Sequence, residues 1–137
     1  MTKPRLLYQI ARQCYLKKIP VIPTLISKLI RLIFSAEIPA ACEIRAGADF
    51  AHAALGCCIN EKVIIGENTL IMQNVTLGSR GKGGAPTIGK NCFIGVGAVV
   101  LGNIHIGDNS KIGANAVVLS DVPPNTTVVG VPAKPIR

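Results

Sequence analysis

A chain of 137 residues with a formal net charge of +8 and no tryptophan can bury a core as one domain. It has few rings to fill a sandwich or barrel, however. The positive balance invites nucleic acid, but aromatics are only 4% of the chain, too few for base stacking. With Lys and Arg gathered in the first 31 residues and near residue 80, the charge suits a smaller anion, such as a cofactor's phosphates.

Five cysteines, an odd number with no CxxC pair and no signal peptide before them, read as reduced thiols of a cytoplasmic protein. No nucleic-acid partner is expected.

The chain opens on a basic, helical preface. Residues 4–18 place Leu6, Leu7, Ile10, Cys14 and Lys17 at helical spacing, with Arg5, Arg12 and Lys18 elsewhere. Pro20 and Pro23 interrupt, and a second amphipathic helix is predicted over 24–34. Its apolar set is Leu25, Leu29, Leu32 and Ile33, with Lys28 and Arg31 between. The longest apolar run, 19–34, is broken by the two prolines and these two charges, so it is too short and too charged to span a bilayer. Residues 1–37 read as a helical cap over the open end of a strand-built body, because edge strands must be blocked. A second reading is a basic amphipathic surface resting on an anionic membrane.

A six-residue lattice begins at Ile38 and continues through Ile44 and Phe50. The phase breaks across His52–Cys58 and resumes at Ile59, Ile65, Ile71 and Leu77. A second break, GSRGKGGAPT from Gly78 to Thr87, precedes Ile88, Ile94, Val100, Ile106, Ile112 and Val118. A helix repeats at 3.6 residues and an ordinary strand at two. One inward aliphatic per six fits a solenoid in which each unit is a short strand and a corner. Gly and Asn fill the corners because they tolerate positive φ. After Val118 the two prolines and Asn125 mark a turn out of the lattice. Val128 and Val129 can add a last strand, and 132–137 makes a basic tail. The division expected is 1–37 as helical cap and 38–137 as solenoid, with a loop insertion at 78–87.

A solenoid built for stability alone has no need of two interruptions, so the chemistry is expected there. His52 lies in the first. Counting hexads, Glu37 ends one coil face and His52 sits mid-face on the next coil. With strands about 4.8 Å apart, the Glu37 carboxylate can fix the imidazole's tautomer and raise its basicity. Such a dyad suits removing a proton from a hydroxyl. Asp49 is the rival partner. His105, at the sixth place of a regular unit, reads as outward and solvated, and Cys57 and Cys58 read as packing side chains rather than acyl-carrying nucleophiles. Two distant histidines do not supply a zinc site, and no metal is expected. The loop from Gly78 to Gly84 lacks Walker spacing. It nonetheless offers backbone N–H groups and two cations, Arg80 and Lys82, to a phosphate or a developing oxyanion.

The IGxxxx lattice and the ending GVPAKPIR resemble the hexapeptide-repeat acyltransferases, which implies an all-β, left-handed parallel β-helix with a short N-terminal helical segment. Residues 37–137 closely resemble serine O-acetyltransferases through FAHAALGCCIN, IGENTLIMQNVTLG, GKGG and IGVGAVVLGNIHIGDNSKIGANAVVLSDVPPNT. Both breaks fall where that family has them. Colanic-acid-type polysaccharide acetyltransferases are similar too.

The resemblance implies acetyl-CoA as cosubstrate, His52 as general base and Glu37 as the carboxylate that orients it. It implies a cofactor site formed by backbone groups at Ser79, Val96 and Ala114. Lys111, Lys134 and Arg80 would meet the cofactor's phosphates, and the oxyanion would rest on N–H groups near Gly78 and Ser79. It further implies a homotrimer with active sites between subunits. Departures stand beside these matches. An acidic residue expected before the base is Ala51, an Arg-His pair expected at the end of the loop is Gly84 and Ala85, and the long helical domain is reduced to some 37 residues. The extension that docks cysteine synthase is absent, so that complex is not expected.

The reading is an acetyl-CoA-dependent O-acetyltransferase. A sugar or surface-polysaccharide hydroxyl is modestly favoured as acceptor, because the serine-gripping residues are missing, and L-serine is the close alternative. The rival from another class is a non-catalytic solenoid scaffold.

Overall fold

Every lattice position from Ile38 to Val118 is buried in the computed structural model, which describes residues 1–136. Each unit makes one strand of two or three residues, and the strands stack rung upon rung into three sheets. The first holds β1 (Glu43–Ile44), β4 (Ile64–Ile65), β7 (Thr87–Ile88) and β10 (His105–Ile106). The second holds β2 (Asp49–Phe50), β5 (Leu70–Ile71), β8 (Phe93–Ile94), β11 (Lys111–Ile112), β13 (Thr127–Val129) and β14 (Lys134–Ile136). The third holds β3 (Cys58–Ile59), β6 (Thr76–Gly78), β9 (Val99–Leu101) and β12 (Val117–Val118). All pairings are parallel except β13 with β14. The architecture is a left-handed parallel β-helix with two short helices at its N-terminal end.

The register explains the period of six. Ile44, Ile65, Ile88 and Ile106 stand in line on successive rungs, and Ile59, Leu77, Val100 and Val118 form a second column. A third runs Phe50, Ile71, Ile94, Ile112, Val128. Burying a column of this kind is worth roughly 1.5–3 kcal/mol per aliphatic side chain, which fixes the phase of every rung. The corner before the second sheet is turned by Asn68, Asn91, Asn109 and Asn125, all at positive φ. Each donates its backbone N–H to the preceding rung, at Ala46, Glu67, Lys90 and Asp108 respectively. Gly66 answers to a different constraint, because a Cβ there would stand 2.5 Å from the carbonyl of Gly89 on the next rung.

The lattice does not end at Val118 as expected. Val122 takes the next inward place four residues on, bridging Ile106 in parallel, and Val128 follows. The corner is two residues short, so the period is lost from the sequence although the rung is not. β14 then folds back antiparallel on β13.

The preface is helical where predicted, but most of its expected apolar face turns outward, Leu7 alone of that set packing against the core. α1 (Lys3–Leu16) buries Pro4, Arg5, Tyr8 and Ala11 and leaves Leu6 and Ile10 exposed. α2 (Ile22–Phe34) buries Pro23 and Ile30, while Leu25, Leu29, Leu32 and Ile33 face outward. The open end of a β-helix presents unpaired backbone groups rather than apolar surface, so the covering face carries donors. Arg5 Nε donates to the Ala48 carbonyl at 3.0 Å, and Arg12 Nη1 to those of Ala40 and Ala41 at 3.1 and 2.9 Å. Tyr8 Oη donates to the Cys42 carbonyl and accepts from the Ile44 N–H. Burial, first of all, drives the Tyr8 hydroxyl's pKa well above its ordinary value, so it remains a donor.

Candidate active site

The first break gathers its extra residues at one corner. From Phe50 to Ile59 the step is nine residues rather than six, and the surplus forms a tight turn, Ala51–Ala54, between the second and third sheets. His52, Ala53 and Ala54 all hold positive φ, at 51°, 53° and 59°. Non-glycine residues adopt that region at a cost, and three in succession push the backbone out of the wall. His52 is exposed at the turn, and among the described residues its side chain makes no hydrogen bond or ion pair. Its carbonyl accepts from the Leu55 N–H. The expected mid-face placement is corrected: extra residues leave from a corner, because a strand of two residues in register with its neighbours has no room for them.

Glu37 lies on the third sheet's first rung, bridged in parallel to Cys58. Its N–H donates to the Cys57 carbonyl and its own carbonyl accepts from Ile59. The Glu37 Oε2 accepts from the Cys58 thiol at 3.2 Å. No Glu37–His52 hydrogen bond forms within one chain, because the rung partner of Glu37 is Cys58. Asp49, the rival, is engaged elsewhere: Thr2 donates to it from Oγ1 at 2.7 Å and from its backbone at 3.0 Å. Burial alone would raise the Asp49 pKa, but these bonds and one from the Phe50 N–H outweigh it and hold the carboxyl below its usual range.

Three clefts meet at Glu37. The widest, about 590 Å³, is lined by Cys58, Asn60, Thr76, Ser79 and Leu101. A second, about 360 Å³, runs between α2 and residues 38–41, and a third, about 350 Å³, lies between Arg31 and Cys58. Gly78 ends β6 at the far edge of the third sheet, and Ser79 and Arg80 follow, both exposed. Val96 and Ala114 occupy the opposite edge, at the same corner as His52 but further along the solenoid. The two are adjacent there, the Asn115 N–H donating to the Val96 carbonyl. Lys111 and Lys134 lie exposed on β11 and β14 of the second sheet. One chain therefore divides the candidate cofactor residues between two edges.

The cofactor's amide groups need donors, and the positions present fit. The backbone N–H groups of Ser79, Val96 and Ala114 have no backbone partner among the described residues. No group of three or more His, Cys, Asp and Glu suited to a metal occurs among them either. His105 is exposed on β10, its N–H bonded by Asp121. Sequence reasoning missed the pairing of Cys58 with Glu37 and the position of Lys28 and Arg31 on the groove. The first needs the register across the break, and the second needs to know which face of α2 is buried.

A parallel wall with one inward aliphatic per six residues, interrupted at a histidine turn and a glycine-rich loop, defines a hexapeptide-repeat protein. The family described as bacterial transferase hexapeptide (six repeats) matches residues 85–120, and the chain is similar to it there. Within that family its likeness is to serine acetyltransferases. It is 44% identical over 132 residues to the serine acetyltransferase of Synechococcus elongatus, covering 94% of this chain and 54% of that protein. The crystal structure of Neisseria gonorrhoeae serine acetyltransferase in complex with serine superposes with a TM-score of 0.91 at 39% identity, over 96% of this chain and 55% of that one. A serine acetyltransferase in complex with CoA gives 0.90 at 34% identity, over 97% and 55%. The chain spans about half the length of the relatives it matches.

Proposed function

We propose that this protein is an acetyl-CoA-dependent O-acetyltransferase whose acceptor is the hydroxyl of L-serine. The observation that carries the reading is likeness over nearly the whole chain to structures holding serine and CoA, in a chain whose first break exposes His52 at a protruding corner. The sugar acceptor favoured from sequence gives way here, since the relatives at 43–44% identity are serine acetyltransferases. Ala51, Gly84 and Ala85 remain departures from the resemblance, and the acceptor's charged ends must be held by other residues.

His52 takes the proton of the acceptor hydroxyl as its oxygen attacks the thioester carbonyl. The developing oxyanion rests on N–H groups at Gly78 and Ser79. The protonated imidazole then returns the proton to the departing thiolate, leaving an acetyl ester and free CoA. Glu37 orients the base once the acceptor displaces its hydrogen bond with Cys58. Ser79, Val96 and Ala114 hold the pantetheine arm, while Arg80, Lys111 and Lys134 face the phosphates. Their division between two edges of one chain supports a homotrimer in which neighbours complete each site. A cytoplasmic setting fits this chemistry, and among the described residues no helix is long and apolar enough to cross a membrane.

Titration with CoA separates this reading from a non-catalytic scaffold, since the enzyme requires saturable binding. Release of CoA from acetyl-CoA with L-serine, compared with neutral sugars, decides the acceptor. Turnover with sugars alone would overturn the serine assignment.

A further inference from the structure

Building on the acetyltransferase reading, we infer that the acceptor carries a carboxylate, held by Lys28 and Arg31 in the groove that ends at Glu37. α2 stands on the solenoid through Pro23 and Ile30, which turns Thr24, Ser27, Lys28 and Arg31 onto the groove facing residues 38–41. Lone cations on a helix face normally extend into water. These two line a concave wall with two hydroxyls and Tyr15, and among the described residues neither makes an ion pair. Arg31 also borders the neighbouring cleft beside Cys58, where its charge is felt by the thiol. A ligand anion in the groove would thus lie next to Glu37. A guanidinium binds a carboxylate through two parallel N–H bonds, and an ammonium adds a point charge.

The cofactor's phosphates are a poorer match for this groove. Val96 and Ala114 lie three and four rungs from Glu37 in the order of the third sheet, which at about 4.8 Å per rung is roughly 14–19 Å along the axis. Lys111 and Lys134 stand at that far end. The carboxylate chemistry is common to an amino acid and an acidic sugar, and the experiment distinguishes them.

Binding of L-serine against L-serinamide, and of D-glucuronate against D-glucose, is measured by calorimetry on the whole chain. The same titrations are run on the Lys28→Ala/Arg31→Ala double variant and on Arg31→Lys, with CoA titrated in parallel. We expect at least one carboxylate probe to bind more tightly than its neutral-group counterpart. The double variant should weaken that probe by about tenfold or more, with CoA affinity unchanged and Arg31→Lys intermediate. Serine alone responding assigns an amino acid, and glucuronate alone an acidic sugar. Equal binding of each pair, no binding of either carboxylate, or a parallel loss of CoA affinity in the double variant overturns the inference. Absence of CoA binding to the unaltered protein instead removes the enzyme reading on which it rests. Both side chains are exposed, and circular dichroism of the variants checks that the fold is kept.

Discussion

The Cys58 thiol donates to the Glu37 carboxylate across 3.2 Å, and the two residues face each other as a parallel bridge. The thiol's pKa is raised by burial first and then by the bond to Glu37 and its charge, with Arg31 opposing. Cys58 is the exposed thiol of the chain, Cys14 is half-buried, and Cys42, Cys57 and Cys92 are buried. Iodoacetamide should therefore reach Cys58 but label it slowly near neutral pH, with the rate climbing as pH rises. Glu37→Gln removes the negative charge, lowers the thiol's pKa and should accelerate labelling at a fixed pH. Adducts followed by mass spectrometry check this, and an unchanged rate in Glu37→Gln would break the link.

His52→Ala should cost on the order of 10²–10⁴-fold in turnover, the usual contribution of a general base. Because the side chain is exposed and bonded to nothing within the chain, the melting temperature and the oligomeric state should stay as they were. Steady-state kinetics with acetyl-CoA and L-serine, beside a thermal melt, give both readouts. Activity that survives the substitution takes His52 out of the mechanism.

The inward columns were legible because a buried aliphatic recurs at a fixed step, and nothing but stacked rungs makes Ile44, Ile65, Ile88 and Ile106 neighbours. Val122 escaped the pattern because a corner lost two residues and the phase counter with them. His52 was located in a break, but spacing reports only how many residues are surplus, not where they leave the wall. The helical faces were misread for a physical reason. Apolar periodicity finds the side that avoids water, whereas the end of a β-helix asks for donors such as Arg5, Tyr8 and Arg12. The rung partner of Glu37 depends on the register recovered after the break.

Tyr8 is the most demanding of those donors, since one hydroxyl serves both the Cys42 carbonyl and the Ile44 N–H in a buried setting. Tyr8→Phe keeps the ring and strands both backbone groups. Each unsatisfied buried group costs about 1–3 kcal/mol, so a loss of roughly 2–6 kcal/mol is expected with little change in spectroscopic helix or strand content. Urea unfolding followed by circular dichroism measures it. A loss below about 1 kcal/mol would mean that water reaches the end of the solenoid.

Asp49 ties the start of α1 to β2 through Thr2. Burial would raise its folded pKa, but the bonds from Thr2 and Phe50 outweigh it and hold the value below the ordinary one. A depressed carboxyl stabilises the fold above its unfolded pKa, near 3.9, and that contribution disappears as pH falls through the lower folded value. Asp49→Asn should therefore be less stable than the unaltered protein at pH 7, with the gap narrowing as pH drops from about 5 towards 2. Thr2→Val should narrow the same gap in part, because one backbone N–H still donates. Thermal melts of the three proteins across that range test the sign. A gap that widens in acid would show that Asp49 is not held in its charged form by this contact.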